Sequence, residues 1–192
     1  MRTRDDHLKW HELERSKLID TPVFTLVRSL RQANDGRQGE YVTAESPDWV
    51  NVICTTTDGQ GRRCFVMVRQ FRHGSSRVGT EFPGGIVDPG EFPEVAAARE
   101  LVEETGYRAG RLEFLGSVSP NPALLNNRLH IYLAQEVTDD GQQELDANEL
   151  LDVRLVPVDD LPLLLATDEF EHALMYVSYL LWLRWMGKVD GS

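Results

Sequence analysis

The chain holds only two cysteines, Cys54 and Cys64, in 192 residues. Two thiols cannot build a disulfide framework, and neither lies at a metal-ligand spacing, so stapled mini-folds and zinc modules are excluded. Both fall in strand-like runs, Val-Ile-Cys and Arg-Cys-Phe-Val, where a buried free thiol is the simpler reading. Long apolar stretches are missing as well. The longest, Ala173 to Met186, is shorter than a bilayer-spanning helix requires and carries Arg184. The first residues, Met-Arg-Thr-Arg-Asp-Asp-His, lead into charged sequence without the apolar core of a secretory signal. A soluble protein of a reducing cytoplasm is the expectation.

Basic residues are in deficit, 20 Lys and Arg against 31 Asp and Glu, a formal net charge of -11. A nucleic-acid polymer requires a basic face that displaces condensed counterions, so that class of partner is excluded. A small phosphorylated ligand remains compatible, because divalent cations and a few local arginines can carry its charge. With 41% hydrophobic and 27% charged residues, the composition is that of a globular protein. The length suits one domain with a sizeable core, or one domain plus an N-terminal extension.

Along the chain, residues 6 to 18 read as a short polar helix or arm with Trp10 and Leu13 as docking points. Strand patterns begin at Pro22-Val-Phe-Thr-Leu-Val-Arg, turn at Asn34-Asp-Gly, and resume to about Thr43. Two apolar runs, Trp49 to Thr55 and Cys64 to Arg69, flank Asp58-Gly59-Gln60-Gly61, a hairpin signal resting on the positive φ that glycine accepts. Residues 79 to 90 are rich in glycine and proline and read as a loop. The punctuation by Pro93 and Gly106 predicts a helix over 93–105. Strands near 112–118, 130–134 and 153–157 follow, with an acidic loop at 138–149 and a final helix from Glu169 to about Gly187. No repeat, low-complexity block or linker interrupts this α/β pattern.

The chemistry concentrates in Gly85 to Tyr107, GIVDPGEFPEVAAARELVEETGY. At 100° per residue, Glu100, Glu103 and Glu104 project within about a third of the helix circumference. Val95, Ala98, Leu101 and Val102 occupy the other side and are expected to face the core, with Ala96 and Ala97 beside the acidic stripe leaving room for a ligand. Like charges one turn apart repel. Hard oxygen donors so clustered are what a divalent cation such as Mg²⁺ prefers. A solvated acidic face explains a bare E-x-x-E-E equally well. The wider spacing does not favour that reading: Gly85, Glu91, Arg99, Glu100, Leu101, Glu103, Glu104 and Gly106 fit G-x5-E-x7-R-E-U-x-E-E-x-G-U, where U is bulky and apolar. Chance agreement is on the order of one in a million.

This stretch resembles the Nudix box, the signature of Nudix hydrolases, with Tyr107 at the last apolar position. The resemblance implies an α/β/α sandwich around a mixed sheet. It implies Glu100 and Glu104 as principal metal ligands, Glu103 sharing a metal or activating water, and a main-chain carbonyl ligand at Gly84 or Gly85. Arg99 and Glu91 resemble the pair that orients the catalytic carboxylates. Mg²⁺ is the implied cofactor, with Mn²⁺ as substitute.

Beyond the box, Val68-Arg69-Gln70-Phe71-Arg72 and Glu81-Phe82-Pro83-Gly84-Gly85 are similar to segments of the ADP-ribose pyrophosphatase branch. There an arginine contacts phosphate or the terminal ribose, and the glutamate can approach a metal; these roles fall on Arg72, with Arg69 second, and on Glu81. Pro122 occupies the place of a proline in a substrate-side loop. Its surroundings, Ser119-Pro-Asn-Pro-Ala-Leu-Leu-Asn-Asn, depart from the commoner Ser-Pro-Gly wording, which keeps nucleoside diphosphate sugars other than ADP-ribose open. Trp49 is a candidate base-stacking residue, with packing as the alternative. Glu149 is the implied general base in a loop after the box, and Glu144 the reserve. His130 reads as structural.

The function so implied is hydrolysis of a nucleoside diphosphate sugar to a nucleoside monophosphate and a sugar phosphate. Residues 1–45 would form an N-terminal arm with strands that builds a homodimer, and 46–192 the hydrolase domain. A housecleaning nucleoside triphosphate pyrophosphatase is the rival enzyme. A non-catalytic nucleotide-sugar sensor would be expected to lack box carboxylates, and all four box glutamates are here.

Overall fold

A computed structural model of the chain describes residues 4–145, 147 and 149–187. Residues 188–192 of the expected hydrolase domain and two positions of the acidic loop, 146 and 148, lie outside them. The chain divides into two compact units: Met1–Pro47 with Ser119–Arg128, and Asp48–Val118 with Leu129–Ser192. Among the described residues, no helix is long and apolar enough to cross a membrane.

The first unit is a three-stranded antiparallel sheet of β1 (Trp10–Asp20), β2 (Thr25–Ala33) and β3 (Gln38–Glu45), in that order. Of the two expectations for 6–18, a short polar helix or an arm, the helix is therefore wrong. Only Asp6–Leu8 form a 3₁₀ turn, and the rest is strand β1. The Glu-x-x-Arg charges favour a helix locally. Pairing with β2 from Trp10↔Ala33 to Asp20↔Thr25 supplies cross-strand hydrogen bonds that outweigh this weak preference. The expected turn at Asn34-Asp-Gly is present, with Gly36 at φ +91° and its N–H on the Ala33 carbonyl at 2.9 Å. Ser119–Arg128 joins this unit through Ala44 N–H to Leu124 O, 2.9 Å.

The second unit is built on a mixed sheet of β4 (Trp49–Thr57), β5 (Arg63–Arg72), β6 (Arg77–Glu81), β7 (Tyr107–Val118), β8 (Leu129–Asp139) and β9 (Leu151–Pro157). Its order is β6-β5-β4-β8-β7, with β9 on β5. Only β4 and β8 pair in parallel. β5 reads Cys-Phe-Val-Met-Val without alternation because both its faces are buried. Phe65 and Met67 face the cluster that includes Met175, Tyr179 and Trp182 of α3 (Ala173–Trp185), while Val66 joins Ala96, Ala97 and Leu101 of α1 (Pro93–Thr105). A helix thus covers each face, the layered α/β arrangement expected. A short α2 (Leu161–Leu164) precedes α3.

Three further expectations need correction. The 79–90 loop begins inside β6, whose Arg-Val-Gly-Thr-Glu offers too few apolar residues to register as a strand before it pairs with β5. The final helix does not start at Glu169. A 3₁₀ turn at Asp168–Phe170 ends at an extended His172 (φ -70°, ψ 112°), and α3 starts after it. Third, α1 is rotated relative to the expected wheel. Leu101 is buried as expected, but Val95 is 54% exposed and Ala98 is exposed too, whereas Ala96, Ala97, Glu100 and Glu104 are buried. Two alanines in succession let the helix approach the sheet closely, and that approach turns the carboxylates inward.

The Phe65 ring sets the core. It meets Phe82, Tyr179 and Trp182 edge-on at centroid distances of 5.4, 6.1 and 4.9 Å. Phe65→Ala should lower unfolding stability by roughly 3–5 kcal/mol in a urea titration with an unchanged slope. A loss under about 1 kcal/mol, the scale of tolerated swaps, would show that the α3 face is not a packed core.

Candidate active site

The segment after β6 places a glycine pair against β4. Pro83 and Gly85 carbonyls accept from Val52 and Val50 N–H at 2.8 and 2.9 Å. This close pairing leaves no room for side chains. A Cβ on Gly84 would stand 2.0 Å from the Val50 carbonyl oxygen, and one on Gly85 would stand 2.4 Å from Glu100 Oε1. The space beside Gly85 belongs to the Glu100 carboxylate. Glu104, one turn on, accepts from the Gly84 N–H at 2.8 Å through Oε2.

Arg99 ties the rest of the box together. Its Nε and Nη2 donate to Glu91 at 3.1 and 3.0 Å, and Nη1 donates to both Glu100 and Glu103 at 2.9 Å. Nη2 also reaches the Ile86 carbonyl at 3.0 Å. These contacts push the guanidinium still further above its ordinary pKa, led by the Glu91 hydrogen bond. They hold Glu91 below the usual carboxylate range.

Glu104 behaves oppositely. Burial pushes its carboxyl up to about 8, against the Gly84 hydrogen bond, and the charges of Glu100 and Glu149 add to the rise. Glu100 is also raised, by burial first, against Arg99, with Glu103 and Glu149 contributing. Glu149 therefore acts electrostatically on both buried box carboxylates. The loop carrying it is fastened to the end of α1: Asp140 N–H to Gly106 O at 3.0 Å, Glu144 N–H to Glu103 O at 2.9 Å, and Gln143 Nε2 to Glu104 O at 2.6 Å. Gly106 is left-handed (φ 72°), and a Cβ there would meet the Gln142 backbone at 2.9 Å.

Crowded acidic oxygens whose mutual repulsion and burial disfavour ionisation fit a divalent cation, which restores charge balance. Among the described residues, no three acidic, histidine or cysteine side chains already converge as a metal cage. Arg99 explains this, because its guanidinium holds Glu100 and Glu103 as a resident cation would.

On the neighbouring strands, Arg72 clasps Glu81 with two hydrogen bonds, Nε to Oε1 at 2.7 Å and Nη2 to Oε2 at 2.9 Å. His172 Nδ1 lies 2.5 Å from the same Oε2. Burial pushes the Glu81 carboxyl up, but the hydrogen bonds of His172 and Arg72 outweigh it and hold the group down at about 2. The Arg72 and Glu104 charges influence each other, so Arg72 borders the box. Arg69 lies 3.5 Å from Glu169, which also accepts from Thr80 Oγ1 at 2.9 Å and from Arg154. Sequence reasoning missed His172, Glu169 and Arg154. No glycine or proline marks the helix break that frees the first two.

Trp49 is half-buried against the α3-side core and pairs with Leu129, which favours the packing alternative. Pro122 is exposed in the segment that belongs to the first unit. His130 bonds Asp48 at 2.8 Å, in keeping with a structural role. Both cysteines are buried and free, and burial pushes Cys54 up to about 12.

Glu104 yields a pH prediction. Its folded pKa stands above the unfolded 4.5, so its stabilising share is complete below 4.5 and is lost as pH rises through about 8. Glu81, held at about 2, acts only below that window. The metal-free protein should therefore lose melting temperature relative to Glu104→Gln across this interval, and a divalent cation, bound more tightly by the native carboxylate, should reverse the difference. Parallel profiles without cation would show that Glu104 ionises freely.

Residues 47–177 match the NUDIX domain family. The chain is 33% identical over 127 residues to the ADP-ribose pyrophosphatase of Bacillus subtilis, a match covering 66% of each protein, just under two thirds. It is 34% identical over 158 residues to the ADP-sugar pyrophosphatase of Mus musculus, covering 80% of this chain and 70% of that one. A solved structure titled an ADP compounds hydrolase superposes with a TM-score of 0.80 at 25% identity, covering 94% of this chain and 97% of its own. With the glycine-backed acidic helix found where the box lies, the chain belongs to the NUDIX domain family.

Proposed function

We propose that this chain is a divalent-metal-dependent pyrophosphohydrolase that cleaves the diphosphate of ADP-ribose or another nucleoside diphosphate sugar, giving a nucleoside monophosphate and a sugar phosphate. The observation that carries the reading is the burial of Glu100 and Glu104 against Gly84 and Gly85, with the Glu149 charge acting on both. The names of the B. subtilis and M. musculus relatives support the substrate class.

Glu100, Glu104 and the Gly84 carbonyl would hold the metal, with Glu103 able to join once it leaves Arg99. Mg²⁺ is the proposed ion, and Mn²⁺ its substitute. Bound, such an ion neutralises charge on the diphosphate and lowers the pKa of a coordinated water. Arg99, braced by Glu91, keeps the carboxylates oriented. Glu149 takes the proton of the attacking water, since it is the loop carboxylate whose charge is felt at the box. Arg72 binds phosphate from the rim, and Glu81 fixes its fork. Arg69 serves more weakly, being shared with Glu169.

The first unit is proposed as a homodimerisation element. Support comes from the exposed apolar side chains it displays, including Leu13, Leu18, Ile19, Val23, Phe24 and Val42. A cytoplasmic setting is proposed from the two buried free thiols.

A substrate panel tests the reading: phosphate release through a coupled phosphatase from ADP-ribose, other nucleotide sugars and nucleoside triphosphates, with and without Mg²⁺. Cation-dependent cleavage of the diphosphate-linked compounds is expected. Glu104→Gln should lower kcat more than about 100-fold, beyond the cost of disturbing an outer partner of a ligand. Preference for triphosphates, or a nearly normal Glu104→Gln variant, would overturn the assignment.

Arg72→Ala should raise KM roughly 10- to 100-fold, the worth of a hydrogen bond to a charged group, with unaltered cation dependence. An unchanged KM would return Arg72 to a structural ion pair.

A further inference from the structure

Glu81 is nearly sealed from solvent, its side chain 4% exposed, and it carries more donors than a simple Arg–Glu pair needs. Its two oxygens face the Arg72 fork from one side, and Oε2 also meets His172 Nδ1. An ionised carboxylate is only an acceptor, so Nδ1 carries the proton in this contact. His172 comes from a part of the chain remote in sequence, the junction between the Asp168–Phe170 turn and α3.

That junction is unusually well fixed. Phe170 is fully buried, with the Arg154 guanidinium 5.8 Å from its ring centroid. Glu169 is bonded by Thr80 and Arg154, while Arg77 of β6 lies 3.1 Å from Glu171 and 3.5 Å from Asp168. The segment before His172 is therefore anchored to β6, the strand that carries Glu81. An imidazole held this way offers Glu81 a donor whose position does not depend on a long flexible stem.

The consequence falls on Arg72. Its side chain is about half exposed and would sample many rotamers if Glu81 could move with it. The Glu104 charge also attracts it. With buried Glu81 held by His172, the fork is locked and one guanidinium edge stays directed away from Glu81. We propose that His172 is a positioning residue for substrate phosphate, acting through Glu81 on Arg72; this rests on the assignment of Arg72 to substrate binding above.

The test compares His172→Ala, His172→Asn and Arg72→Ala, singly and with His172→Ala added to Arg72→Ala, at saturating Mg²⁺ and with ADP-ribose as substrate. Asn can present its amide N–H close to where Nδ1 stood. His172→Ala should raise KM about three- to tenfold, the effect of one net hydrogen bond, with kcat nearly unchanged. His172→Asn should recover most of the loss. In the Arg72→Ala background, His172→Ala should add no further increase.

Melting temperatures of all variants separate positioning from mere packing. A lowered melting temperature with unchanged KM, or an increase in KM that multiplies with that of Arg72→Ala, would overturn the proposal. Failure of the underlying reading looks different, because there Arg72→Ala alone leaves KM unaltered.

Discussion

Charge is forced into a place where it cannot be solvated, and much of the second unit is arranged around that constraint. Ala96 and Ala97 bring α1 close to the sheet, Gly84 and Gly85 remove the side chains that would block the approach, and Glu100 and Glu104 fill the space. Burial then raises both carboxyls, most strongly Glu104. Such a site fits a divalent cation, whose charge would offset the repulsion between the carboxylates.

The same constraint divides the arginines into two kinds. Arg99 lies inside the acidic group and matches three glutamates and a carbonyl at once, so its fork shapes the site without needing to meet substrate. Arg72 is half exposed, with buried Glu81 behind it and His172 beyond. With Nε and Nη2 already engaged by Glu81, the rest of the guanidinium would give an anion direction more than strength.

The box was legible because its information is local: spacing along one helix, a proline to start it and a left-handed glycine to end it. The hairpin at 58–61 and the turn at Gly36 were legible for the same reason. The orientation of α1 was not, since Val95 has the greater hydrophobicity while Ala96 and Ala97 have the better fit, and only the distance to the sheet decides between them. Strand β1 was misread because its partner lies across a turn and its own residues are nearly all exposed. His172 and Glu169 were invisible for a third reason. They act from a break between two helical turns, and that break is made by ion pairs to β5, β6 and β9 that no short window contains.

The fastening of the 140–144 segment to the end of α1 has a mechanical consequence. Glu103 and Glu104 present carboxylates at one end of their side chains, while their main-chain carbonyls accept from Glu144 and Gln143. The last turn of the helix is therefore terminated by the chain that leads to Glu149, and Gly106 admits that chain by having no side chain. Length changes within 140–144 would shift the register of these donors and leave helix carbonyls unmatched. The root of the loop and the last turn of α1 therefore behave as one piece, each supplying the hydrogen-bond partners of the other.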